Sequence, residues 1–274
     1  MPLGPDASRY VMAGTGTPVP RPFNLRWLLP AVCRNSVRRW WAVYVTSFVT
    51  LTVAVFAWRI VADDPWQTAA ASALIVAGLP GILGPAVSVP VQVDLPATAL
   101  VAVSLVAFES GGAAGIVAGV AICVVAASIR ETAPVVAALA FWSLWPLVAL
   151  IVPVVVDRLN RAAATDPLGG RYETIRQHPF RTALAYHRGR WRDGWLMVAP
   201  WGVCLAALYA PDWRLGVVLV VAYAQLLVAT DTVRLYQHVA ALPMAVAAAH
   251  VIPVDWLPLA AVLHVAWFRK PERI

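Results

Sequence analysis

Lysine is nearly missing from this chain: of its 21 Lys and Arg residues only Lys270 is a lysine. Charge of either sign is scarce, at 13% of residues against about 25% in soluble domains. Hydrophobic residues supply 61% and the mean hydropathy is +0.72, which excludes an ordinary soluble domain and indicates a polytopic membrane protein. Cysteine is equally sparse. Cys33, Cys123 and Cys204 are far apart, with no CxxC pair or Cys/His cluster, so neither a disulfide framework nor a zinc site is expected. P-loop, GxGxxG, GxSxG and HExxH patterns are absent, which removes support for cytosolic nucleotide hydrolysis, serine hydrolysis and zincin chemistry. The net charge of +7 could suggest nucleic acid. The arginines gather beside apolar runs, however, and the basic loop lacks interleaved aromatics and a nucleic-acid module, so the charge reads as membrane topology.

Three arginine clusters set that topology. Residues 1–39 form a basic N-terminal segment carrying Arg9, Arg21, Arg26, Arg34, Arg38 and Arg39. The run WWAVYVTSFVTLTVAVFAW, 40–58, follows as an uncleaved anchor helix, which places the N-terminus in the cytoplasm. A first membrane block, 40–156, leads to an Arg-rich loop, 157–194; a second block, 195–268, leads to the tail 269–274. Loop and tail should also be cytoplasmic, which fixes the parity of the crossings. Four apolar stretches lie between the anchor and the loop, and one must fail to cross. The stretch 62–94, broken by Gly78, Pro80, Gly81, Gly84, Pro85 and Pro90, is expected to be re-entrant or to lie on the outer face. The crossings are then 95–109, 111–129, 133–156, 195–210, 214–230, 239–253 and 256–268. With the anchor, this is an all-α transmembrane helical bundle of about eight crossings in the inner membrane. Gly111, Gly115 and Gly119 share one helix face and should let a neighbouring helix of the same chain approach closely.

On this topology Asp63, Asp64, Asp94, Arg130, Glu131, Asp212 and Arg214 all fall at the outer face. Carboxylates and arginines drawn from separate loops could form a site for a phosphate-bearing substrate. They could equally keep short loops wet, and for Asp212 and Arg214 that reading is preferred. Glu131 and Thr132 are expected to start the next helix through its dipole and cap, leaving Arg130 to face a cavity. On the inner side Asp231, Arg234 and His238 share a helical face, where a local salt bridge explains them. His178 and His187 read as surface residues.

The succession VDLPATALVAVSLVAF, a glycine-rich helix, SIRETAPVVAAL and TDTVRLYQHVAALPMAVAAA resembles the membrane region of integral-membrane glycosyltransferases with the C-type fold. The resemblance spans about 60–260 and implies a short or divergent relative. Its implied activity is transfer of a sugar from a polyprenyl-phosphate donor at the extracytoplasmic face. Asp63 or Asp64 would then act as catalytic base or hold a divalent cation such as Mg or Mn, supported by Asp94. Arg130, with Glu131 and Arg214, would meet the carrier. The bilayer and the lipid-linked sugar are the implied partners, and nucleic acid is not. The rival is a non-enzymatic polytopic membrane protein, a small carrier or an assembly partner.

Overall fold

The computed structural model of the chain describes residues 5–82, 93–160, 163, 177–191, 198–227 and 233–267. Among these, every regular element is a helix. The chain divides into two units, one made of 1–51 and 85–173, the other of 52–84 and 174–274.

The first unit begins with structure where a polar leader was expected. Helix α1 (Pro5–Gly14), a turn of 3₁₀ helix (Phe23–Leu25) and α2 (Leu28–Cys33) precede the long α3, Val37–Val61. Tyr10, Phe23 and Trp40 are buried among them, and Tyr10 meets the Phe23 ring edge-on at 5.2 Å. The segment 5–39 is thus a folded cap, because it owns apolar residues enough to bury.

Two helices, α5 (Asp94–Glu109) and α6 (Gly112–Ile129), form an antiparallel pair. Gly111 makes the turn at φ 73°. A side chain at Gly115 would strike the Ala107 carbonyl and one at Gly119 the Phe108 ring, so these two glycines permit the close approach while Gly111 serves the turn. The hydroxyls of Thr98 and Ser128 donate to carbonyls one turn back, Asp94 O at 2.9 Å and Val124 O at 3.0 Å, which removes the cost of polar groups in an apolar helix.

The expected single crossing over 133–156 is replaced by a broken path. Helix α7 (Ala133–Phe141) stops at Trp142, which takes a left-handed conformation at φ 54°. A 3₁₀ helix (Trp145–Leu150) and α8 (Ile151–Leu159) follow. A straight helix would hold residues 131 and 160 about 43 Å apart, at 1.5 Å per residue. Yet Arg26 binds Glu131, and Asn24, two residues earlier, exchanges hydrogen bonds with Asn160 at 3.0 and 3.4 Å. The segment doubles back. Asp94, Arg130, Glu131 and Asp157 therefore share the end of this unit that carries the N-terminal cap.

In the second unit α4 (Trp66–Gly78) occupies part of the stretch expected to be re-entrant, whose residues 83–92 lie outside those described. It packs on α11 (Val233–Val251) and α12 (Leu257–Trp267). The expected crossing at 195–210 is a 3₁₀ helix, Ala199–Tyr209, kinked at Gly202. Next come α10 (Trp213–Ala224) and then α11, the central element; α9 (Pro179–Trp191) lies in the Arg-rich segment. Gln237 ties the unit together: its amide donates to Pro200 O at 2.7 Å and accepts from Gly81 N at 2.6 Å. α11 and α12 are bent by 117° at Ile252–Pro253.

By length and composition two helices can cross a membrane, α3 and α6, with the bent pair α11–α12 as a third. Among the described residues that is fewer than about eight, because 133–156 and 199–209 are broken and α5, α10 and α12 are short. Along α3 the exposed residues Trp41, Val45, Val49, Val53, Phe56 and Ile60 form one stripe at helical spacing, an apolar face suited to lipid.

Candidate functional site

Each unit carries its own polar constellation. In the first, the Arg26 guanidinium clasps Glu131 through both carboxylate oxygens, at 2.8 and 2.7 Å, and donates to the Tyr10 hydroxyl at 2.8 Å. Burial by itself pushes the Glu131 carboxyl up, but the charge and hydrogen bonds of Arg26 outweigh it and hold the group at about 2. For Arg26, burial alone would lower the guanidinium, and Glu131 and Tyr10 keep it well above its ordinary value instead. Arg130 forms an ion pair with Asp94, and both residues are 3% exposed. Its Nε also donates to the Thr132 hydroxyl at 3.0 Å. Arg130 thus meets a carboxylate rather than a cavity, and Thr132 makes no capping hydrogen bond to α7. These charges cancel one another, an arrangement that specifies packing and commits each carboxylate to an arginine.

The second unit places Asp63 and Asp64 at the end of α3. Asp63 N donates to Ile60 O and Asp64 N to Arg59 O, at 3.1 and 3.0 Å, with Asp63 at φ 61°. This is a Schellman cap with aspartate at the position usually held by glycine. Asp63 is exposed. Asp64 accepts from Arg59 Nε at 2.7 Å and faces His250 Nε2 at 3.1 Å. Burial pushes the Asp64 carboxyl up, and the stronger effects of Arg59 and His250 bring it below its usual value. His250 Nδ1 lies 2.8 Å from Val246 O. Both ring nitrogens therefore have oxygen partners.

Two residues beyond His250 begins an apolar groove of about 540 Å³, lined by Gly202, Val203, Tyr209, Ile252, Trp256 and Leu259 among others. The polar corner thus lies near the end of α11, and the groove begins just past that end, where the chain bends into α12.

A divalent cation does not fit the aspartate pair. Arg59 and His250 take the two Asp64 oxygens, leaving Asp63 as a single free carboxylate where such an ion needs several oxygen ligands. Among the described residues no group of three metal-ligating side chains occurs.

The remaining sequence candidates have local roles or lie elsewhere. Asp212 caps α10 by accepting from Arg214 N at 2.9 Å, and Arg214 is exposed. Asp231 and the Arg234 side chain are outside the described residues, and His238 is buried. His187 is fully buried against Tyr186 rather than on the surface. Sequence reading missed Arg26 and His250. Arg59, five residues before Asp64, was the one local signal available for the second site. Compared with protein-family models, with curated proteins and with solved structures, the chain matches none.

Proposed function

We propose that this integral-membrane protein transfers a sugar from a polyprenyl-phosphate donor, with the acceptor chemistry at Asp63 on the extracytoplasmic face. The arginines before α3 favour a cytoplasmic N-terminus, and α3 then carries the chain outward to Asp63 and Asp64. On the same rule the polar end of the first unit is cytoplasmic. Asp94, Arg130 and Glu131 consequently leave the site.

One observation carries the reading: an exposed carboxylate beside the Asp64–Arg59–His250 cluster, with an apolar groove that begins at Ile252, two residues past His250. The isoprenoid tail would lie in lipid along the groove, where each buried methylene is worth about 0.8 kcal/mol. The exposed edge of His250 would lie beside the carrier phosphate. Asp63 would accept the proton of the acceptor hydroxyl as its oxygen bonds to the anomeric carbon. The bond from that carbon to the phosphate oxygen breaks, and its electron pair leaves with the phosphate. The sequence resemblance supplies the donor class.

A second reading has an observation of its own. The Schellman cap and the Arg59 ion pair account for the Asp63–Asp64 geometry in a carrier or assembly protein without catalysis. Thermal unfolding in nanodiscs separates the two. A polyprenyl-phosphate sugar should raise the melting temperature by mass action and a soluble nucleotide sugar should not. Asp63→Asn should keep that shift and lose transfer. No shift with the lipid donor, together with a D63N/D64N chain that still serves its cellular role, would leave the non-enzymatic protein.

A further inference from the structure

The cap contains a second strained residue, at the other end of α3. Residues Cys33–Ser36 form a turn closed by Ser36 N donating to Cys33 O at 3.0 Å. Its first central residue is Arg34, at φ 49° and ψ −130°, the type II′ position that glycine dominates. The surroundings fix this backbone from several sides. Trp40, 1% exposed, donates its indole N–H to Arg34 O at 3.1 Å, and Arg34 N donates to Pro30 O at 2.8 Å. Gly14 packs so tightly there that a Cβ would collide with the Pro30 carbonyl. A costly conformation kept for an arginine points to work for its side chain.

That side chain is exposed, as is Arg38. Most other arginines of the cap are engaged: Arg21 with Asp157, Arg26 with Glu131, Arg9 over the Phe23 ring, and Arg39 with Val32 O. Among the described residues neither Arg34 nor Arg38 has a side-chain partner. Arg38 also heads the exposed stripe, three residues before Trp41 and seven before Val45. Trp27, at 40% exposure, and Trp41, at 41%, flank the two cations with indoles of the kind that sit at headgroup level.

We infer that Arg34 and Arg38 form a binding corner for the phosphate of an anionic bilayer phospholipid, whose acyl chain lies along Trp41, Val45 and Val49. The charge is complementary, and the apolar face continues from the cations into the depth where acyl chains are. The corner is independent of the chemistry proposed at Asp63.

The test is lipid competition on purified full-length protein in nanodiscs, comparing phosphatidylglycerol with phosphatidylcholine by native mass spectrometry. Arg34→Gly relieves the turn and Arg38→Gln changes an exposed residue, so both should fold, which thermal unfolding in phosphatidylcholine verifies. Each should lose about fivefold in preference for phosphatidylglycerol, and the double variant about thirtyfold. Arg181→Gln, an exposed arginine of α9, should lose nothing. An unchanged preference in the double variant, or an equal loss in Arg181→Gln, would overturn the site in favour of bulk surface charge.

Discussion

At the cap end of the first unit each carboxylate is met by an arginine, whereas the second unit leaves one carboxylate, Asp63, open at a helix end. Asp94, Glu131 and Asp157 each face an arginine from elsewhere in their own unit: Arg130, Arg26 and Arg21. Asp63 is exposed at a helix end, and Asp64 shares itself between a neighbour in sequence and one histidine. Long-range pairing of buried charge buys conformational specificity at the expense of availability. A charge held by its own helix turn stays where the turn puts it and still faces outward. The lesson is that acidic residues beside apolar runs cannot be pooled into one site by topology alone.

The sharpest way to break this comparison is by sidedness. With Glu131 bound to the N-terminal cap, a cysteine at 131 should react from the cytoplasmic side, and one at Ser110, at the α5–α6 turn, from the outside. Labelling in intact cells gives an all-or-none answer. Glu131 reached from outside would mean that cap and pair do not meet as described, and would return Asp94 and Arg130 to the candidate site.

Next in size is Arg130→Ala. Removing one partner of a buried pair leaves Asp94 uncompensated, at a cost of about 3–5 kcal/mol, enough to abolish folded yield. Replacing both partners by Asp94→Leu with Arg130→Met should restore most of it. Detergent-extracted monodisperse protein is the readout. A well-folded but inactive Arg130→Ala protein would instead place Arg130 in the chemistry.

The Arg26–Glu131 pair predicts a pH dependence. Its folded carboxyl, at about 2, lies below the ordinary 4.5, so the linked stability is fully present above about 4.5 and drains away as pH falls toward 2. The span corresponds to roughly 3 kcal/mol. Glu131→Gln should flatten the stability profile in that window while lowering stability at neutral pH. A profile identical to that of the unaltered chain would show that the pair carries no linked proton.

Much of the fold was legible because it is local. The anchor helix and the glycine-permitted α5–α6 pair follow from spacing and composition over a few residues. What escaped is long-range. Nothing near Arg26 announces a partner 105 residues away, and nothing near His250 announces Asp64 at 186. The run 134–156 looked continuous because apolar composition does not reveal a left-handed Trp142 or a 3₁₀ stretch after it. Those breaks turned the chain back and moved Arg130 and Glu131 to the end that holds the cap.

The smallest expected effect separates the two readings of the open site. Asp63 occupies a position where φ is 61° and glycine costs nothing sterically. Asp63→Gly should therefore stabilise the fold by about 0.5–1 kcal/mol, or roughly 1–4 °C in melting temperature for a chain this size. If the aspartate is merely a cap residue, function survives with that gain. If it takes the acceptor's proton, transfer should fall by at least about 100-fold in the same, more stable protein. Stability and activity then move in opposite directions, which a structural role does not produce. A variant that is both more stable and fully active would remove Asp63 from the chemistry and leave the first unit's closed pairs and the second unit's open one alike in serving only the fold.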